Sequence, residues 1–245
     1  MKKNYKQIEG KITKFLKERI GDREAILGLS GGLDSAVVAY LAVKALGHKK
    51  ILAISTPSKS NSREDLNYAK LVSKDLTIRH RGIKIESIIK SFKKNTPLFR
   101  DRLSAGNLTA RVRMCILYGA ANETGGMVLG TGNKTELLIG YFTKYGDGAT
   151  DILPIGDLYK TEVIGLAKYL GVPKKIISRP PTAGLWLGQE DEKELGIAYR
   201  ELDKILEAME QKEDLSKFTQ ARILKVEKMI DKNLHKLQTP PICKI

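Results

Sequence analysis

The sequence predicts an α/β fold, a doubly wound parallel sheet of about five strands with flanking helices and a helical C-terminal part. Three observations lead there. Short apolar runs of strand length alternate with segments whose apolar residues recur at helical spacing. Two glycine-bearing turns, SGGLDS at residues 30–35 and GTGN at residues 130–133, directly follow or end such runs. Beyond Asp157 the pattern is helical, interrupted by SRPPTAGLWLGQED at residues 178–191. A β-α-β-α rhythm implies a parallel sheet covered on both faces, with ligands at the carboxyl ends of the strands.

Each element has its own signal. The N-terminal MKKNYKQIEGKITKFLKERIG reads as an amphipathic helix rather than a secretory signal. Residues 25–30 form the first strand. Residues 33–46 form a helix, with Val37, Val38, Leu41, Val43 and Leu46 at helical spacing. A second strand covers 50–55, and a helix capped by Ser62 runs to Leu76. Residues 77–83 give a third strand, 85–92 a short helix, 107–122 a long one, and 127–131, MVLGT, a buried strand. The prolines and glycines of 178–191 mark a mobile segment of the kind that closes over a site.

Composition narrows the function classes. The 245 residues contain no run of the roughly 18 to 20 apolar residues that a membrane span needs, so a cytoplasmic protein is expected. Cys115 and Cys243 have no metal-ligand spacing and form no disulfide framework; Cys115 is expected in an apolar setting, inert. His48, His80 and His235 are scattered, so any metal would be held by oxygen. The net charge of +15 includes the clusters RHRGIK at 79–84 and KSFKK at 90–94. No stacking aromatics interleave with them and no nucleic-acid-binding signature appears, so lysine-rich solvated faces that steer small polyanions are expected, and no nucleic-acid partner.

The turn at 30–35 carries the chemistry. Gly31 and Gly32 allow backbone angles closed to other residues and let a ligand approach the main chain. Ser30, Asp34 and Ser35 surround the first turn of a helix, whose N–H groups and positive dipole end attract anions. Neither a Gly-Lys-Ser/Thr ending nor Gly-x-Gly-x-x-Gly is present. The string resembles the pyrophosphate loop of the ATP pyrophosphatases, which cleave ATP between its α and β phosphates and transfer AMP. Glu136, a few residues beyond a strand end, can place a second hard carboxylate beside Asp34 for Mg²⁺. Lys144, Asp147 and Asp151 lie in a glycine-rich loop that by itself reads as polar surface.

Taken with GTGNKTE, GYFTKYGDG, LYKT and PPTAGLW, in this order and over nearly the whole chain, SGGLDS resembles NAD synthetase in its short, ammonia-dependent form. That resemblance implies an adenine nucleotide α-hydrolase-like fold and ATP-dependent amidation of deamido-NAD with ammonia, through an adenylated intermediate. By the same resemblance Gly28, Leu29, Ser30, Gly31, Gly32, Leu33, Asp34, Ser35, Thr131, Lys160 and Thr182 contact ATP, and Asp34 and Glu136 bind Mg²⁺. Arg111, Lys144, Asp151, His235 and Lys236 match positions that bind deamido-NAD, although Leu237 stands where the family often has arginine. Asp34 and Lys160 are the expected catalytic pair. About 24 residues precede the first strand, too few for a glutaminase part, so residues 1–245 are expected to be a single synthetase domain. Family members are homodimers, and the face of Ile8, Ile12, Phe15 and Leu16 together with helix 107–122 offers either a two-fold interface or a cover for the core. A tRNA-modifying ATP pyrophosphatase would share SGGLDS but has no need of GYFTKYGDG or PPTAGLW. A non-catalytic nucleotide-binding module would not need both carboxylates.

Overall fold

In the computed structural model, which describes residues 3–59 and 63–244, four parallel strands lie in the order β3-β2-β1-β4. They are β1 (Ala25–Gly28), β2 (Ile51–Ser55), β3 (Arg79–Gly82) and β4 (Met127–Leu129). Ala25 is in register with Ile51 on one side and Met127 on the other. From β1 the chain builds outward through β2 and β3, then returns to lay β4 along the opposite edge of β1. The reversal opens a crevice between the carboxyl ends of β1 and β4, where such sheets bind ligands. A fifth strand is expected; what occurs is one isolated parallel bridge from Leu129 to Ile152. Pro154, which has no N–H to donate, and the turn closed by Gly156 N–H on Leu153 O stop that ladder after one pair.

The helices are α1 (Tyr5–Ile20), α2 (Leu33–Leu46), α3 (Arg63–Asp75), α4 (Glu86–Asn95), α5 (Arg102–Thr124), α6 (Lys134–Ile139), α7 (Lys160–Leu170), α8 (Lys174–Ile177), α9 (Asp191–Leu195), α10 (Tyr199–Glu210) and α11 (Gln220–Asn233). The expected cap of α3, Ser62, lies outside the described residues. Helix α2 has the bounds its apolar spacing predicts. Helix α5 starts at Arg102, well before the expected 107, because the Asp101 carboxylate accepts the Ser104 N–H (2.9 Å) and caps it. Gly106 within it leaves room for Leu185 and Trp186, whose atoms would lie 3.2 and 3.3 Å from an added Cβ.

Strand alternation divides the core. Ala25, Leu27 and Leu29 face a cluster built with α1, α2, α3 and α7, while Ile26 faces Met114, Leu117 and Ala121 of α5. Both faces of β1 are therefore covered, as its uninterrupted apolar run requires. Leu16 is buried and Ile8 and Ile12 pack on the same core, so most of the α1 face is used within the chain. Cys115, expected among apolar neighbours, is exposed, because α5 turns Met114 and Leu117 inward and position 115 out. Helices α9, α10 and α11 pack with α6 into a separate C-terminal cluster.

Candidate active site

The SGGLDS turn leaves the sheet after Gly28 and is laced by its own hydroxyls. Ser30 Oγ accepts the Gly32 N–H (3.2 Å), and Ser35 Oγ accepts the Ser30 N–H (3.3 Å) while donating to Gly32 O (3.0 Å). Gly32 occupies the N-cap of α2 without any side-chain cap. Gly31 sits at φ +84°, and an added Cβ would lie 2.1 Å from the carbonyl oxygen of Asp65. The loop is thus preorganised, with the N-terminal end of α2 turned toward the crevice.

Three charged side chains from distant segments meet beside this turn. Asp34, in the first turn of α2, accepts from Lys160 Nζ at 2.5 Å and from Asn133 Nδ2 at 3.2 Å. Lys160 opens α7, and its Nζ also lies 3.5 Å from Glu136 Oε1. Glu136 is held by a capping box at the start of α6: Asn133 N–H donates to Glu136 Oε2 and Glu136 N–H to Asn133 Oδ1. The same asparagine therefore orients both carboxylates. Lys160 is only 2 % exposed. Burial would lower its ammonium pKa, but Asp34 and Glu136 outweigh burial and hold it above the usual lysine range. Burial pushes the Glu136 carboxyl up to about 8, with Lys160 opposing and Asp34 adding to the rise.

Behind the triad stand residues that the sequence did not single out. Asp203 of α10 accepts from Thr135 Oγ1 (2.5 Å) and the Thr161 N–H (2.8 Å), while Thr135 Oγ1 accepts the Lys160 N–H (2.9 Å). This buried bracket ties the starts of α6 and α7 together and fixes where Lys160 emerges. The Lys160 ammonium also lies over the Tyr199 ring (5.3 Å), and Tyr199 donates to Asp191 (3.1 Å). The Asn133 signal was readable: Asn-x-x-Glu at a strand end is a capping-box pattern. Asp203 and Asp191 have no such local signature.

The triad lies in the wall of a recess of about 1330 Å³. Gly28, Leu29, Ser30, Gly32, Leu33, Asp34 and Ser35 line it, as do Thr131, Glu136, Lys160, Thr182, His235 and Lys236. Gly31 faces Asp65 instead. The segment 178–191 crosses the recess, its Thr182, Leu185 and Trp186 in the wall. It is held by side chains more than by ladders: Arg113 Nη2 donates to Gly184 O (3.2 Å), and Asp191 Oδ1 accepts the Ala183 N–H (3.0 Å).

The remaining predicted residues divide into two places. Arg111 is exposed and donates to Lys144 O (3.3 Å), Lys144 Nζ donates to His235 O (2.7 Å), and Lys236 Nζ donates to Gly140 O and Phe142 O. These four form a linked cluster, of which His235 and Lys236 line the recess. Asp151 stands apart, accepting from Tyr118 OH (3.0 Å) and the Val128 N–H (2.7 Å) beside β4. Arg113, two residues from Arg111, lines the recess where Arg111 does not.

The donor chemistry suits a divalent cation. Asp34 and Glu136 offer hard oxygens beside the SGGLDS turn, and crowding two carboxylates here creates a demand for positive charge that Lys160 meets. Among the described residues no group of three or more acidic, His or Cys side chains could hold a metal. Mg²⁺ at these two carboxylates would complete its shell with phosphates and water, its usual habit.

Known proteins place this arrangement. The family model described as NAD synthase matches residues 5–240. The NH(3)-dependent NAD(+) synthetase of Methanocaldococcus jannaschii is 47 % identical, with 96 % of this chain and 95 % of that protein covered. Its counterpart in Pyrococcus horikoshii is 46 % identical, covering 97 % and 94 %. Among solved structures, an NMN synthetase from Francisella tularensis superposes with a TM-score of 0.91 at 35 % identity, covering 99 % of this chain and 100 % of that one. The NH3-dependent NAD synthetase of Campylobacter jejuni, in complex with nitrate, gives 0.86 at 32 % identity, with the same coverage. With a family model matched over residues 5–240 and relatives of this likeness over nearly its whole length, the chain belongs to the NAD synthase family.

Proposed function

We propose that the chain amidates the nicotinate carboxylate of deamido-NAD with ammonia, converting ATP to AMP and pyrophosphate. The observation that carries this reading is the Lys160 ammonium between Asp34 and Glu136, beside the SGGLDS turn. A carboxylate resists ammonia because it has no leaving group at neutral pH. Its oxygen therefore first attacks the α-phosphorus of ATP, releasing pyrophosphate. Ammonia then adds to the acyl carbon, AMP departs with that oxygen, and one proton is lost.

The residues have separable tasks. The SGGLDS main chain and the end of α2 cradle phosphate oxygens, and Lys160 offsets the negative charge that gathers as pyrophosphate leaves. Thr131 and Thr182, both lining the recess, contact the nucleotide. The cluster of Arg111, Lys144, His235 and Lys236 binds the dinucleotide, and Asp151, apart from them beside β4, contacts it separately. Asp34 and Glu136 hold Mg²⁺, which when bound neutralises phosphate charge and orients the chain of phosphates. The 178–191 segment keeps water from the acyl-adenylate. Residues 1–245 act in this reading as a single synthetase domain of the cytoplasm; no described helix is long and apolar enough to cross a membrane. We also propose a homodimer. Its support is the row of exposed Phe92, Leu98 and Leu103 on α4, the following loop and the start of α5, since α1 has spent most of its apolar face on the core.

An NAD-formation assay with four supplements tests this. Deamido-NAD with ammonium is expected to give NAD and one pyrophosphate per turnover. Glutamine without ammonium is expected to give none, and Cys115→Ser to change neither result. Turnover driven by glutamine alone refutes the ammonia assignment, and ATP consumption with bulk tRNA alone refutes the substrate class. Nicotinate mononucleotide belongs in the same assay because of the likeness to the NMN synthetase. A higher kcat/KM for it than for deamido-NAD would move the assignment to the mononucleotide.

The covering segment is tested separately. Few main-chain bonds hold 178–191, so limited proteolysis should cut it in the free protein. Adding ATP, Mg²⁺ and deamido-NAD together should slow that cut severalfold. Equal cleavage rates in the two states would remove it from the mechanism.

A further inference from the structure

The base of the covering segment carries a charge pair that the reaction above leaves unused. Arg179 Nη2 donates to Asp65 Oδ1 at 2.7 Å, with side-chain exposures of 23 % and 15 %. Arg179 belongs to the segment that crosses the recess and lines its wall; Asp65 belongs to α3. The guanidinium also lies over the Tyr68 ring at 5.0 Å, and Tyr68 OH donates to Glu64 (2.9 Å). Asp65 is in turn locked to the phosphate turn, because its carbonyl oxygen fills the space where a Cβ on Gly31 would stand. The backbone of Asp65 is therefore packed on the SGGLDS turn, while its carboxylate holds an arginine that lines the recess.

We propose that Arg179 reads the phosphate chain of ATP, being held on Asp65 until the nucleotide arrives and transferred to it on binding. The proposal rests on the functional reading above, namely that ATP occupies the SGGLDS turn. Triphosphate in the recess that Arg179 lines competes with Asp65 for the same guanidinium, with more charge and more oxygens. The planar fork of arginine suits either partner, so the exchange costs little geometry. Because Arg179 stands at the start of the 178–191 segment, its transfer carries nucleotide arrival into the seating of that segment.

Calorimetric titration of the full chain with Mg²⁺ and a non-hydrolysable ATP analogue tests this in wild type, Asp65→Asn, Arg179→Gln and the double variant. Asp65→Asn should bind the analogue about three- to tenfold more tightly, because the competitor for the arginine is gone. Arg179→Gln should bind it about tenfold more weakly, and Arg179→Lys should recover part of that loss. The double variant should match Arg179→Gln alone. Adenosine, which has no phosphate, should bind all of them alike. An Asp65→Asn gain that persists without Arg179 reduces the effect to the removal of a nearby negative charge and overturns the exchange. Weaker binding of both ligands by Asp65→Asn makes the pair a structural staple and also overturns it. If Asp65→Asn fails to fold, the Gln and Lys variants at 179 still decide, since loss of adenosine and analogue binding in equal measure refutes phosphate reading. A wild-type chain that does not bind the analogue refutes the functional reading itself, which no variant result can do.

Discussion

Asp34→Asn and Glu136→Gln are each expected to lose pyrophosphate release by about 10²- to 10³-fold, the scale for removing one preorganised electrostatic group from an active site. Folding should change far less. In either variant the Lys160 ammonium keeps one carboxylate, and the new amide oxygen still accepts a hydrogen bond. The capping box at Asn133 survives in the glutamine variant as well, because a Gln side-chain oxygen can accept the same N–H. A fall in Tm of only a few degrees is therefore expected, since about 1 kcal/mol corresponds to a shift of that size in a chain this long. If the two carboxylates hold Mg²⁺ as proposed, raising its concentration should restore part of the lost rate. The measurement is pyrophosphate production against Mg²⁺ for each variant, beside a thermal melt. Near-native rates at ordinary Mg²⁺ would return Asp34 to a helix-start carboxylate and Glu136 to a capping residue.

Gly31→Ala should be the most damaging small substitution in the chain. The residue combines φ +84° with a backbone oxygen 2.1 Å from the would-be methyl, so the alanine is strained whether or not the neighbour yields. The turn and the first residues of α3 must separate, and the cradle proposed for the phosphates opens with them. A stability loss of about 1–3 kcal/mol and at least about a tenfold weaker ATP affinity are expected. Gly10→Ala provides the control, because nothing lies within 4 Å of the added methyl and the site is in the exposed interior of α1. It should be neutral or slightly stabilising, as glycine is a poor helix residue. ATP titration and thermal melts of the pair decide the matter, and wild-type affinity in Gly31→Ala would show that the left-handed turn is dispensable.

Much of this was legible in the residues, and the parts that were not have identifiable causes. The β1 turn α2 unit could be read because its signals are local: an apolar run, two glycines, and helical spacing that begins at once. Glu136 was legible by its position beyond a strand end. Asp203 and Asp191 were not, because a carboxylate that brackets two helix starts or accepts from a buried tyrosine has no sequence spacing to betray it. The early start of α5 was hidden by Gly106, which reads as a break until Trp186 is seen packed over it. The sheet has four strands where about five were expected, and its edge beyond β4 carries the bridge at Ile152, where Pro154 two residues on limits pairing. The apolar face of α1 left two uses open, and only the packed structure shows that its Leu16 belongs to the core. Cys115 was misjudged because α5 is too evenly mixed for spacing to show which side faces the sheet.

The pair between Asp34 and Lys160 joins residues 126 positions apart, and Lys160 is fixed in place by Asp203, later still in the chain. Synthesis on the ribosome therefore delivers the SGGLDS turn and Asp34 long before the lysine that pairs with them. A nascent chain that stops short of α10 has the cradle but lacks the bracket that sets Lys160, so it should neither consume ATP nor strand an activated acyl group. Long-range closure of this kind is slow to form. In exchange, catalytic competence appears only once, when the last third of the protein has docked.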